Sequence, residues 1–505
     1  MTQRTTLVSL TAIAYASAPP RKGVPVDEME KRSPDSAFME RYWNKVDAVL
    51  DGIEGMKLRH DEFLPRFRDE EPEDYKFRTN CAVMTNVYRD IAESLSGKPF
   101  EQPVMLIKDD EENTVVPPEI ENFTYDVDGA GNSLTVFASQ TFFNGVNHAI
   151  DWIMVDYSKA PERPVTMAEA STLGLRPYWT HILGRNVLNI RSKMVGSKEV
   201  LTYVKIFEPG DVDHVREIER FDTYDARNTL VTVVTWKLWE KRSQHNDYIQ
   251  VDSGEISIGE IPMVPFYTGR REGRQWRFDP PMRAAVELQI QMFKQESGLE
   301  HACQLTAYPM LAANGIKPPM GRDGKPETKV AVGPNRVLWS PPRDDGGPAG
   351  TWAYVEPNAE SLKFLEARIE ATERRLRELG RQPLTASSSN ITVITAAVAA
   401  GKAKSAVKAW ALMLGNALEN ALLLTAKWMS VVYDPAIHVF AEFDDWMEGE
   451  DLDALDKARE RGDISHETYC EELKRRGVLS SNFTIERERE RILDDAPSDG
   501  PDLEE

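Results

Sequence analysis

The chain is 505 residues long, with 61 Lys and Arg against 82 Asp and Glu, a formal net charge of −21, 41% apolar residues and 28% charged ones. This length supports more than one structural region, and the balance of residue types is that of a globular protein with a water-exposed surface. The charge excludes a surface that grips nucleic acid as a whole, since that affinity comes mainly from cations on phosphate; the three scattered cysteines (Cys81, Cys303, Cys470) exclude a disulfide framework or a zinc cluster.

Residues 1–36 are Pro-rich and weakly patterned, an arm expected either to lie on a neighbouring molecule or to be disordered. Its run from Leu7 to Tyr15, followed by Ala16-Ser-Ala18, mimics a signal peptide, but Ser9, Thr11 and the lack of a Leu/Ile block argue for retention. From 37 to 278 the pattern is that of an α+β body. Helices are predicted over Ala37–Leu50, ended by Asp51-Gly52, and over Tyr75–Leu95, with a turn at Phe63-Leu-Pro65 between them. Strands are predicted at Ser133–Ala138, Ala149–Tyr157, Glu199–Glu208, Leu230–Leu238 and Tyr248–Ile258, all rich in β-branched and aromatic residues. Arg176–Ile190 reads as a helix entered after a proline, and Ile261-Pro-Met-Val-Pro-Phe266 as an extended run closing the body.

Asp279-Pro-Pro281 then starts a helix reaching about Cys303, with Asp as cap and proline tolerated in the first turn. Residues 304–356 change character to a small, turn-rich β insertion, with short strands at Lys329–Val332, Arg336–Trp339 and Thr351–Val355. Trp339, Trp352 and Tyr354 read as its core. The most regular patterning of the chain follows. Leu362, Leu365, Ile369, Thr372, Leu376 and Leu379 recur at alternating steps of three and four. They draw one apolar seam along a helix roughly 33 Å long at about 1.5 Å per residue. A polar break, Arg381–Asn390 with Pro383 and a Ser run, precedes a second such seam: Ala403, Val407, Trp410, Leu414, Ala417, Ala421, Leu424 and Trp428.

Long helices with narrow seams suit packing against equivalent helices of neighbouring subunits, so a ring is the natural inference. Asp434-Pro435 ends the second helix, residues 436–492 are helical and strongly charged, and the tail beyond is acidic and expected to be disordered. The longest apolar stretch, Ala409–Ala426, is broken by Asn416, Glu419 and Asn420, so no membrane span is expected.

The chemistry of a catalyst is not patterned. Gly324-Lys325 is followed by Pro, and Gly401-Lys402 lacks both a preceding glycine and a following hydroxyl, so no phosphate-cradling loop is present. The eight histidines are scattered singly, and His148 and His301 read as structural. Asp109-Asp-Glu-Glu112 and Asp344-Asp345 could attract Mg²⁺, yet a solvated acidic loop is the simpler reading. Ser387-Ser-Ser389 has no neighbouring base to make it a nucleophile. No enzyme activity, metal or cofactor is expected.

The order of body, helix, β insertion, helix, polar loop, long helix and charged helical end resembles the portal protein of tailed bacteriophages. The local wording agrees. Phe63-Leu-Pro65 with Tyr75-x-x-Arg78, then Arg176-Pro-Tyr178 leading to Asn189-Ile-Arg191, is similar to the N-terminal half of a portal-like subgroup long labelled only as a domain of unknown function. Ile261–Phe266 and Pro309-Met-Leu-Ala-Ala-Asn-Gly315 resemble the approach to and exit from that family's first stem helix. Leu376-Arg-Glu-Leu-Gly380, Gly462-Asp-Ile-Ser-His-Glu-Thr468 and Leu473-Lys-Arg-Arg-Gly-Val-Leu479 fit as well. The likeness spans roughly residues 37–492; the N-terminal arm and the Pro341–Gly350 loop do not match.

The resemblance implies a homododecamer at one capsid vertex, a channel through which double-stranded DNA is packaged and ejected. It implies a wing over 37–278, stem helices at 279–303 and 357–380, and a clip at 304–356. A tunnel loop would occupy 381–398, a long wing helix 399–435, a crown 436–492 and an acidic tail 493–505. The implied partners are the large terminase, a head–tail adaptor, and the major capsid and scaffolding proteins. Twelve copies would carry 12 × −21 = −252 charges, a bore that repels phosphate and lets DNA slide.

On that mapping Ser387, Ser388, Ser389, Asn390 and Thr392 face DNA, offering single hydrogen bonds to phosphate without net attraction. Lys402, Lys404 and Lys408, and Arg374, Arg377 and Arg381, are candidate channel cations. The lysines could equally pair with acids on an adjacent subunit. For the arginines, with Arg375, pairing with Glu366, Glu370 or Glu378 of a neighbour is the blander option. Arg343, Asp344 and Asp345 are candidates for contact with motor or adaptor. Two other classes remain open: a metal-dependent nuclease relying on Asp109 or Asp344, and a shorter neck or tail connector without the two-helix stem.

Overall fold

The computed structural model describes residues 23–107, 116–158, 169, 172–224, 230–242, 245–306, 310–314, 350–355, 360–379, 393–441, 450–475 and the single positions 479, 483, 485, 488 and 491. They belong to two compact units, Met1–Ala441 and Glu442–Glu505. The fold class is α+β, as the patterning predicts.

The end of the expected arm is tied to its own chain. Val24–Pro25 (β1) pairs antiparallel with Tyr248 and Asp247, and the turn Val26–Met29 (α1) buries Met29 against Leu188, Val215 and Tyr248. Ser33 caps α2 (Pro34–Asp51) by accepting from the Ser36 amide at 3.2 Å, with Pro34 in the first turn. The helix stops at Gly52, whose φ of +78° suits glycine and little else. Short helices α3 (Ile53–Leu58) and α4 (His60–Phe63) follow. The single helix expected over Tyr75–Leu95 is two, α5 (Pro72–Asn80) and α6 (Val87–Gly97). Asn86 breaks it: its side chain accepts from the Arg89 amide at 3.0 Å and so starts a new helix.

After Met105–Leu106 (β2) and Pro118–Phe123 (α7), the strand expected at Ser133–Ala138 is instead the first turn of α8 (Leu134–His148). Ser133 caps it, and Leu134, Phe137, Ala138, Thr141, Phe142, Gly145 and Val146 are buried at helical spacing, which overrides the β propensity of Thr135-Val-Phe137. The helix expected over Arg176–Ile190 is also corrected. Ile150–Tyr157 (β3) is a strand as expected, whereas Pro177–Leu183 (β4), a 3-10 turn at Gly184–Asn186 and Val187–Val195 (β5) replace the helix. Pro177 is tolerated because it opens a strand at the sheet's edge.

Strands β5, Lys198–Glu208 (β6), His214–Tyr224 (β7), Leu230–Arg242 (β8) and Asp247–Glu255 (β9) form an antiparallel meander, closed by β1 in the order β1-β9-β8-β7-β6-β5. Sequence reading missed β5 and β7; β7 carries five charged residues among its eleven, which hides its alternation. Met263–Tyr267 (β10) pairs with β3, giving a second sheet in the order β10-β3-β4. Every residue from Ile150 to Val155 is buried, because this sheet is covered on both faces. Arg270–Arg271 (β11) and Phe278–Asp279 (β12) form a small hairpin before the long helices.

Those helices are α9 (Arg283–Thr306), α10 (Glu360–Leu379) and α11 (Val393–Met429). Met310–Asn314 (β13) and Thr351–Val355 (β14) pair antiparallel between the first two. The long helix begins at Val393, inside the stretch expected to be loop to 398, and ends at Met429. Residues past it return to the body, where Ile437–His438 (β15) pairs with β2, so 436–441 belong to the first unit and not to a separate end region. The second unit contains α12 (Glu450–Arg461) and α13 (His466–Arg475).

The α11 seam is used within the chain, not between subunits as expected, whereas the α10 seam is buried only at Thr372 and Leu376. On α11, Val407, Trp410, Leu414, Ala417, Leu418, Ala421, Leu422 and Leu424 are buried, and the helix packs on β3, β10 and α8. Trp179 donates to Thr425 Oγ1 at 2.8 Å, and Trp428 stacks on Tyr157 and donates to the Val155 carbonyl at 3.3 Å. Each fully buried leucine contributes roughly 2 kcal/mol, which makes this face unavailable to a neighbour.

Candidate functional site

The α9–α10 pair is an antiparallel helical hairpin with a β-ribbon at its far end. Burial shows which end is rooted. On α9, Ala285, Val286, Gln289, Ile290, Met292 and Phe293 are buried near its start, while His301 to Gln304 are only half-buried. On α10 the gradient runs the other way: Leu362, Leu365 and Ile369 are half-buried, Thr372 and Leu376 fully buried. The seam read from sequence therefore exists from Leu362 to Leu376 on the side that packs against α9, and its last expected member, Leu379, is exposed. The α10 sequence is almost all Leu, Ala, Glu, Arg and Lys, strong helix formers that need little tertiary help.

Three polar side chains root α9. Gln289 accepts from the Tyr88 amide at 2.9 Å through Oε1 and donates to the Thr85 carbonyl at 2.9 Å through Nε2. Glu296 accepts from the Thr85 amide at 2.8 Å, and Ser297 Oγ donates to the Val83 carbonyl at 3.3 Å. Burial raises the Glu296 carboxyl above its ordinary range, partly offset by the Thr85 hydrogen bonds. These contacts satisfy backbone groups of the α5–α6 connection that would otherwise lie against a helix without partners, at roughly 1 kcal/mol each. The predicted cap is different in detail: Asp279 lies in β12, and its carboxylate sits 3.4 Å from Arg283.

Beside this root a second buried pair fixes the Phe63-Leu-Pro65 to Arg78 motif. The Arg78 guanidinium, 4% exposed, meets the Glu70 carboxylate at 2.7 and 2.9 Å and donates to the Pro65 carbonyl at 3.0 Å. The Phe67 ring lies 4.4 Å from it. Arg78 holds the Glu70 carboxyl down at about 2, against a smaller opposing effect of burial.

The cations proposed from sequence separate into distinct groups. Arg377 is half-buried and committed within its own chain, to Glu373 at 3.1 Å and Asp90 at 3.2 Å, so the neighbour-subunit pairing expected for it is replaced by an internal one. Arg374, Arg375 and Lys408 are exposed. Lys402 and Lys404 lie on the helical backbone of α11, their side chains outside the described residues. Arg381, Ser387, Ser388, Ser389, Asn390 and Thr392 lie outside the described residues, as do Arg343, Asp344, Asp345 and Asp109. The two helices that bracket 380–392, α10 and α11, belong to the same unit.

Sequence reasoning missed a buried polar junction. Asp151 on β3 is fully buried, pairs with His181 of β4 and accepts from the Gly184 amide at 3.1 Å. Asp47 of α2 meets His148 at 2.8 Å and Arg185 at 2.6 Å. Burial pulls the His181 imidazole down, but the Asp151 carboxylate more than offsets this and holds it above its usual value. Burial likewise opposes ionisation of Asp47, yet His148 and Arg185 hold it below the usual carboxylate range. These groups lie at the meeting of α2, α8 and the three-stranded sheet, and they act as structural ties, as read for His148. Among the described residues no group of three or more His, Cys, Asp or Glu is placed to hold a metal, and no helix is long and apolar enough to cross a membrane.

A family described as Domain of unknown function (DUF4055) matches residues 281–429, the hairpin, its ribbon and α11. The match covers under a third of the chain and includes two of the segments that carry the resemblance, Pro309–Gly315 and Leu376–Gly380. No curated protein matches the sequence. Among solved structures, the chain is similar to one titled as the neck of a native GTA particle computed with C12 symmetry. That likeness has 9% identity, covers 75% of this chain and 87% of the other, and has a TM-score of 0.39. A second, the neck of an empty GTA particle computed with C6 symmetry, has 9% identity, coverage of 86% and 93%, and a TM-score of 0.38. Both are too distant to bear on function.

Proposed function

We propose that this chain is a portal-type, non-enzymatic subunit of a ring that conducts double-stranded DNA through a phage capsid vertex. One observation carries the reading. A rooted two-helix hairpin with a β-ribbon at its free end is followed by a 37-residue helix that returns to an α+β body. In that arrangement 380–392 connects the rooted end of the hairpin to the long helix, where a polar loop would face a common axis. In this reading the hairpin is the stem, β13–β14 and the residues between them the clip for terminase and adaptor, and the body the wing. The net charge of −21 per subunit fits a bore that DNA passes without dwelling.

Negative-stain images of the purified protein, without DNA, test it. Rings of about twelve-fold symmetry with an open centre are expected; a stable monomer at all concentrations refutes the reading. Within a ring-forming protein, deleting Ser387–Asn390 is expected to leave assembly intact and impair DNA packaging or retention. Normal packaging would show that the polar loop does not face DNA.

A further inference from the structure

Two exposed surfaces of the chain both carry apolar side chains and complement each other in charge. The first lies on α10. Phe364, Arg368, Ala371, Arg375 and Leu379, spaced four, three, four and four apart, form a stripe flanking the buried seam, and all five are exposed. Phe364 is 66% and Leu379 50% exposed, and the five carry two bases and no acid, with exposed Glu378 and Arg374 at their border.

The second surface surrounds the Arg78–Glu70 clasp. Leu58 is 82%, Phe67 64% and Phe77 48% exposed, and Phe77 borders α9 through the ring of His301. The chain around them exposes Asp61, Glu62, Asp69, Glu71, Glu73 and Asp74, against Arg66, Arg68 and Lys76. Apolar residues this exposed, rimmed by charge of one prevailing sign, mark an interaction surface. The clasp makes the surface rigid, which lowers the entropic cost of docking.

We infer that the basic α10 stripe of one copy docks on the acidic, apolar α5 surface of the next. The inference rests on the ring reading above and names its contact. A second copy is the occupant because each surface presents what the other needs: apolar side chains with bases on one, apolar side chains with acids on the other. The surfaces are different patches of one chain, so the contact is head-to-tail, the kind of contact from which a closed ring is built. It also gives the Arg78 motif a purpose, since that residue holds the docking surface in shape.

Reciprocal charge reversal tests the contact in the full chain. Variant one carries Arg368→Glu and Arg375→Glu; variant two carries Asp69→Lys and Glu73→Lys. Circular dichroism checks that each is folded, and native mass spectrometry counts rings. Each variant alone is expected to lose rings about tenfold. An equimolar mixture should recover them as alternating rings, and so should a chain carrying all four changes. Rings at wild-type level in either single variant overturn the inference, and so does loss without recovery in both the mixture and the fourfold variant. A wild-type protein that never forms rings would instead refute the ring reading itself.

Discussion

Replacing Arg78 with Met keeps the length and apolar stem of the side chain and removes its charge. The guanidinium is 4% and the Glu70 side chain 9% exposed, joined by two short hydrogen bonds, with a third to the Pro65 carbonyl. Removing one partner of a pair this buried leaves the other carboxylate stranded, a loss of about 3 kcal/mol. The effect is local, because the clasp closes the 64–71 loop onto α5. Opening of that loop should therefore become more frequent by about a hundredfold, read as faster amide exchange at Phe67, whose amide donates to Glu70 Oε2 at 3.0 Å. The acid dependence gives a second check. Glu70 ionises at about 2 when folded, below its unfolded value, so the pair's contribution is fully present above roughly pH 4.5 and is lost as pH falls through about 2. The gap between wild type and Arg78→Met should shrink over that window. Exchange within threefold of wild type at neutral pH, or a gap unchanged by acid, would refute the reasoning.

Gln289→Leu removes both hydrogen bonds to the α5–α6 connection and leaves the Thr85 carbonyl and Tyr88 amide unsatisfied; a stability loss of about 2–3 kcal/mol by urea denaturation is expected, with faster exchange at Tyr88. His181 is held above its usual value by Asp151, so its contribution is complete below roughly pH 6.5 and fades as pH rises through the raised folded value. His181→Asn should flatten the urea midpoint against pH on the alkaline side, and an unchanged slope would remove the pair from the account. Gly184→Ala would drive a methyl into the backbone carbonyl of Ile150, which cannot move without breaking the sheet, so a loss of about 2 kcal/mol or more is expected by thermal melting.

The α10 seam was legible because a one-sided helix repeats its apolar residues every three or four positions whatever it packs on. What it packs on was not legible: the same seam serves a partner in the chain or one in a neighbour, and only the position of α9 decides. The Arg176–Ile190 segment misled because a strand at the edge of a sheet covered on both faces can carry apolar residues without clean alternation; Pro177, Trp179 and Ile182 are buried while Tyr178 and Leu183 are half-buried. Gln289 left a usable signal. It sits among Ala285, Val286, Ile290 and Phe293 on the apolar face of α9, where a lone amide implies a backbone partner. Asp151 left a similar one, a carboxylate in the apolar run Ile150–Val155. The pairings of Arg78 with Glu70 and of Asp47 with His148 and Arg185 depend on tertiary approach and had no pattern to announce them.

Internal use of the α11 seam and of the buried part of the α10 seam changes what must hold an assembly together. Contacts built on Leu and Trp seams would be hydrophobic, and salts excluded from apolar surface would strengthen them. The surfaces that remain exposed on the hairpin and α5 each combine apolar side chains with charge, of opposing sign. Charges of this kind are exposed and therefore screened, with a Debye length that falls from about 30 Å at 0.01 M to about 3 Å at 1 M salt. The seams still stabilise each subunit from within, so the folded protomer should persist where the assembly fails. Sedimentation in 1 M sodium chloride should then show rings dissociating into subunits whose circular dichroism and melting temperature are unchanged. Rings that tighten with salt, or subunits that unfold as they separate, would mean that the helices meet their neighbours through apolar faces after all.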